Sequence, residues 1–221
     1  MKGLLIKDLR LLAGQKRLMG FLLLAIMFML GMTPEFMIGY IIMLAVILTV
    51  STVSYDEFEH GMSFLLTLPV SRKVYVYEKY VLGLLAAGVA YVFATLFGMA
   101  ALLIKGVYSG MPDYGAAVSL PLTGLAVLLV MLLMWELMLP LQLKFGAEKA
   151  RVVIVAVVAV VAGAFFILKD KPDVGNKLAG VLSGLSALPD AAIIAGLVLV
   201  SLLALLVSVL FSLHIMEKKE Y

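Results

Sequence analysis

Apolar residues gather into six long runs, near Leu18–Thr33, Phe36–Val53, Val81–Ile104, Ser119–Leu143, Val152–Leu168 and Ala191–Met216. A membrane-spanning helix needs about 20 such residues, with a range of about 17 to 25. Each run therefore predicts one span, and together they predict an all-α integral membrane protein with six transmembrane helices. The first run is short, which predicts little tilt or a locally thinned bilayer. No linker is long enough to separate soluble domains, so residues 1–221 read as a single transmembrane domain.

Three stretches break the pattern. At the start, Leu5, Leu9, Leu12 and Ala13 fall on one side of a helix and Lys7, Arg10 and Arg17 on another, which predicts an interfacial helix, although Leu4 and Leu11 blur the stripe. The apolar run that follows has no small-x-small site closing it and reads as an uncleaved anchor. Near the end, "KLAGVLSGLSAL" is apolar but only 12 residues long, so it is either a re-entrant or interfacial helix or an ordered loop. The third break, "SYDEFEHGMSFLLTLPVSRKVYVYEKY" from Ser54 to Tyr80, is far longer than the about 2 to 8 residues a helix–helix connection needs.

Composition sharpens the membrane reading. The chain is 64% hydrophobic and 14% charged, with a mean hydropathy of +1.16, whereas soluble domains are about half apolar and about a quarter charged. There is no cysteine, which removes disulfides, thiolate nucleophiles and sulfur-ligated metals. Small residues four apart, at Gly83/Ala87, Ala159/Gly163 and Ala192/Gly196, permit close helix approach in lipid.

Charge gives orientation. Thirteen Lys/Arg flank one face, including five in the N-terminal segment, Arg72, Lys73, Lys79, Lys144, Lys149, Arg151, Lys218 and Lys219. Lys105, Lys169, Lys171 and Lys177 flank the other. The positive-inside rule then places both termini and the Ser54–Tyr80 stretch in the cytoplasm of a multi-pass cell-membrane protein.

Most catalytic chemistry is missing. No G-x-x-x-x-G-K-[ST] cradle occurs for ATP, and Glu57-Phe58-Glu59-His60 lacks the second His of a zinc-protease helix. Neither His60 nor His214 falls at mid-membrane, as a Ser–His site within the bilayer requires. No catalytic, cofactor-binding or metal site is expected in this chain.

One carboxylate does fall inside a span. Glu136 precedes Lys144 by 8 residues, about 12 Å of helix. Intramembrane acids usually face a bundle interior or aqueous cavity and mark function, or Glu136 snorkels to the interface. Pro140, four residues on, frees a backbone carbonyl for another partner.

Within the long loop, Asp56, Glu57 and Glu59 appear where the second span emerges, Gly61 breaks the chain, "MSFLLTL" forms one or two helical turns, and Pro69 stops them. Ser71 then caps a new helix. Arg72 and Lys73 fall in its first turn, where the macrodipole disfavours cations. Lipid phosphates, an acidic protein surface, or a plain positive-inside anchor would each account for them.

The order of a basic amphipathic segment, two spans, "YDEFEHG" with "FLLTLPVSRKVYVYEKY", and four more spans resembles the permease subunits of ABC-2 type ATP-binding-cassette exporters. "LLTLPVSR" is the most diagnostic run. In length and layout the chain looks like the small six-span permeases that export amphipathic peptides such as phenol-soluble modulins. The resemblance implies a half-transporter without enzyme activity of its own, working with a separate cytoplasmic ATPase that holds ATP and Mg²⁺, and with a second permease chain, identical or not.

On that resemblance the loop is a coupling helix. Asp56, Glu57 and Glu59 would meet cations of the ATPase, Phe64, Leu65 and Leu68 its apolar groove, and Pro69, Arg72 and Lys73 complete the contact. Lys144, Glu148 and Lys149 would make a second cytoplasmic contact. Thr49, Thr52 and Glu136 would line the path of a hydrophobic or amphipathic cargo, and "KLAGVLSGLSAL" would be a re-entrant helix before the last span. Two other readings stay open: an ATP-independent channel or secondary carrier using Glu136, and a membrane scaffold or immunity-type protein without transport.

Overall fold

The computed structural model of the chain describes residues 2–14, 33–58, 61–67, 70–109, 114–146, 148–150 and 189–219, with isolated positions at 20 and between 152 and 163. Their elements are all helical: α1 (Lys2–Gly14), α2 (Pro34–Glu57), α3 (Gly61–Thr67), α4 (Arg72–Ser109), α5 (Tyr114–Phe145) and α6 (Asp190–Lys218). Among the described residues α2, α4, α5 and α6 are long and apolar enough to cross a membrane. They correspond to the expected second, third, fourth and sixth spans. The expected first span, most of the fifth, and "KLAGVLSGLSAL" lie outside the described residues.

Helix boundaries follow local chemistry. Pro34 opens α2 behind an extended Thr33, its fixed φ already suited to the first helical position. The Ser71 hydroxyl accepts a bond from the Val74 N–H at 3.3 Å, which is the N-cap expected for α4. Gly146 ends α5 with φ +82°, and its N–H returns to the Gln142 carbonyl at 2.8 Å. A residue without Cβ takes this left-handed conformation at little cost.

Polar contacts gather one end of the bundle. Arg72 Nη1, at the start of α4, donates to the Met216 and Glu217 carbonyls of α6 at 3.0 and 3.1 Å. Lys219 Nζ, just beyond α6, donates to the Leu143 carbonyl of α5 at 2.9 Å and meets Glu57 of α2 at 3.4 Å. Helices α2, α5 and α6 therefore run toward this end and α4 runs away from it. Helix α1 rests there against α2 and α4.

The core is apolar between α2, α4 and α5, with Ile38, Ile42, Val53, Tyr75, Val76, Leu120, Trp135 and Leu139 buried. Helix α6 packs differently. Its buried residues are Ser201, Ser208, Ser212 and Met216, one narrow stripe of mostly small polar side chains. Small residues let helices approach closely in lipid, and hydroxyls bond across the seam. Gly83 of α4 serves the same end, because a Cβ there would fall 2.0 Å from the Trp135 ring. Among the described residues Gly196 and Gly163 have nothing within 4 Å of that position, so of the three small-residue pairs Gly83/Ala87 is the one whose glycine is seen pressed against a neighbouring helix.

Candidate functional site

The junctions on either side of α3 are knotted together by buried charge. Lys79 of α4 is 2% exposed. It pairs with Asp8 of α1, meets Asp56 Oδ2 of α2 at 2.7 Å, and donates to Thr52 Oγ1 at 3.1 Å. Lys7 pairs with Asp56 and lies 3.0 Å from Asp8 Oδ1. The Tyr75 hydroxyl donates to Asp56 Oδ2 at 3.1 Å, and its ring lies under the Lys79 ammonium with Nζ 5.2 Å from the centroid. Burial opposes the charge on Lys7, but the hydrogen bonds to and charges of Asp56 and Asp8 outweigh it, and its pKa is raised above 10.5.

Burying these ions is costly, and removing one partner would leave an uncompensated charge. The network thus clamps α1 to the last turn of α2 and the second and third turns of α4. Glu78, fully buried beside Lys79 with Nζ 3.9 Å away, has neither carboxyl oxygen hydrogen-bonded.

The expected coupling residues divide between inward and outward roles. Asp56 is turned into this network, so its acid is engaged within the chain. Leu65 is buried in the core and Phe64, its neighbour on α3, is 69% exposed. Arg72 crowns the C-terminal carbonyls of α6, and Lys73 pairs with Glu217 at 3.1 Å. The cations disfavoured by the dipole of α4 are therefore favoured by the opposite dipole end of α6. Glu59, Leu68 and Pro69 lie outside the described residues.

Glu57, Phe58, Phe145, Glu148 and Lys149 line one cleft of about 390 Å³. The structure thus joins the end of α2 to the second expected contact, and Lys144, Glu148 and Lys149 are all exposed beside it. Phe58, 69% exposed like Phe64, adds a second aromatic to this surface. No group of three or more His, Asp or Glu able to hold a metal occurs among the described residues.

Glu136 occupies a separate site. It is 1% exposed on α5, with Oε1 accepting from Ser201 at 3.5 Å and Oε2 without any hydrogen-bond partner. Its backbone carbonyl, released by the missing N–H of Pro140, accepts from Ser208. Tyr80 joins the same chain of hydroxyls through Ser208 and Ser212 and meets Trp135 edge-on with ring centroids 5.3 Å apart. Alongside runs an apolar groove of about 520 Å³ between α5 and α6. Thr49 and Thr52 are buried and donate back along α2, to the carbonyls of Val46 and Thr49.

A family model described as "ABC-2 family transporter protein" matches residues 3–217. The chain belongs to this family. No curated protein and no solved structure matches it. As an ABC-2 chain with membrane-crossing helices it is a multi-pass membrane component of a transporter.

In this ABC-2 chain, sequence reasoning missed Asp8, Tyr75 and Lys79 as a unit. Asp8 carried a usable signal: an acid one turn after Leu4 in an amphipathic helix marks that face as one needing a cation. The buried residues of α1 are Leu4 and Asp8, with Lys7 reaching Asp56 beside them, while Leu5, Leu9 and Leu12 roof an apolar hollow of about 450 Å³ between α2 and α4.

Proposed function

We propose that the chain is the permease subunit of an ATP-driven exporter, moving hydrophobic or amphipathic cargo, including peptides. A separate ATPase carrying ATP and Mg²⁺ would dock at the end of the bundle gathered by the buried charges. The observation that carries the reading is the placement of α3. It lies between two helix ends that are clamped to α1, α5 and α6, with Phe64 exposed on α3 itself and Phe58, at the end of α2, exposed in the cleft with Glu148 and Lys149.

A push on α3 would then move α4 as a rigid rod of 38 residues, about 57 Å long. This is a rigid-body way to carry a nucleotide-driven motion across a bilayer. Glu57, Glu59, Phe64, Leu68 and the Lys144–Lys149 surface are the proposed ATPase contact, with Asp56, Leu65, Arg72 and Lys73 holding it in place.

Six crossings are proposed: the four described spans together with the apolar runs near Leu18–Thr33 and Val152–Leu168. The positive-inside rule makes the clamped end cytoplasmic, and a half-sized pathway calls for a second permease chain, most simply a symmetric partner.

The test is co-purification with a candidate ATP-binding-cassette ATPase expressed together with this chain. Phe58→Asp with Phe64→Asp should abolish the complex while insertion persists. Undiminished binding by that double variant overturns the assignment.

A further inference from the structure

The groove between α5 and α6 is walled by Leu137, Leu141, Val200, Leu203, Val207 and Phe211, with Glu136 and Ser208 as its polar members. Its rim faces outward, since Leu137, Leu203 and Val207 are each more than half exposed and belong to helices long enough to cross the bilayer. A carboxylate among such walls is expensive unless a donor or cation meets it. Among the described residues only Ser201 reaches its Oε1, at 3.5 Å, and its Oε2 is buried with no donor. Among the described residues no Lys or Arg side chain that could neutralise it lines the groove.

We propose that this groove takes an amphiphile bearing one primary amine, admitted sideways from the lipid, with its chain along the apolar walls and its ammonium on Glu136. The complementarity is of charge and of shape together. A hydrocarbon chain matches a wall of Leu, Val and Phe, and a compact ammonium supplies the donors that Oε2 lacks. Uncharged lipids would fill the groove without answering the carboxylate, and anionic ones would be repelled. As a statement about cargo this rests on the exporter reading, while as a binding site it stands without it.

Trp135, the only tryptophan in the chain, adjoins Glu136 and reports on the site. The protein in lipid nanodiscs, without any ATPase, is titrated with a long-chain alkylamine brominated near its head and with the matching bromoalcohol. The amine should quench Trp135 saturably and more strongly than the alcohol. In Glu136→Gln its apparent affinity should fall about tenfold or more, as for loss of a charge-assisted bond, to the level of the alcohol. Val207→Phe, which narrows the groove and leaves the carboxylate intact, should also remove the excess, and it decides the matter if Glu136→Gln does not fold.

Equal quenching by amine and alcohol in the native chain overturns the proposal, as it would if a second copy or a proton already satisfied the groove. So does an amine excess that survives Glu136→Gln or, where that variant does not fold, Val207→Phe. Because no ATPase is present, these results are independent of the co-purification that tests the exporter reading.

Discussion

Lys79 is the residue on which the charged end depends most. Among the described residues it is the one cation that reaches Asp8, Asp56 and Thr52 together. Lys79→Met should destabilise the protein by about 3–5 kcal/mol, the usual result of orphaning buried charges. Adding Asp8→Asn should restore part of the loss, and thermal melting of both purified variants in detergent would show it. Lys7 contributes with a definite pH sign. Its folded pKa lies above 10.5, so its stabilisation is fully present below that value and is lost as pH rises through the folded one. A spin label on a cysteine placed at exposed Ile6, in a chain that has no other cysteine, should stay ordered through neutral pH and loosen only above about 10.5. Loosening near neutrality would show that α1 is held by something other than this lysine.

Helix pairing depends on residues that propensity undervalues. Gly83→Val should misalign α4 and α5, since even a Cβ would lie 2.0 Å from Trp135, while Gly196→Ala, with nothing within 4 Å, should be neutral. Monodispersity and melting temperature would separate the two. Ser208 bridges the Tyr80 hydroxyl and the Glu136 carbonyl, so Ser208→Ala should cost about 0.6–2 kcal/mol, the span measured for interhelical bonds in membranes. The long spans were legible from hydropathy because burial in lipid demands length and apolarity alone. The serine stripe of α6 was not, because hydropathy scores Ser201, Ser208 and Ser212 as interruptions, and only contact with α4 and α5 makes them a seam.

Across the whole molecule the same division separates the proposed coupling surface from its supports. The sequence presents Asp56, Glu57 and Glu59 as one acidic cluster, yet Asp56 is 6% exposed and faces Lys7 and Lys79. In the proposed complex, variants at Phe58 and Phe64 should therefore weaken ATPase binding and leave melting unchanged. Asp56→Asn should lower the melting temperature first and affect binding only through the loosened clamp. Measuring both quantities on each variant distinguishes a contact from a support. If Asp56→Asn abolished binding with no change in melting, the division would be wrong.

By itself the sequence determined the membrane-crossing helices, the Ser71 cap, the freed carbonyl ahead of Pro140 and the family resemblance, because each depends on local composition or on neighbours within a turn or two. Only the tertiary structure decided which face of α1 meets the bundle, that Arg72 crowns α6 across 144 residues of chain, and which side of α3 is exposed. Those outcomes depend on where distant charges and small residues come to lie against one another. A buried ion chooses its partner by proximity after packing, and the order of residues along the chain does not contain that choice.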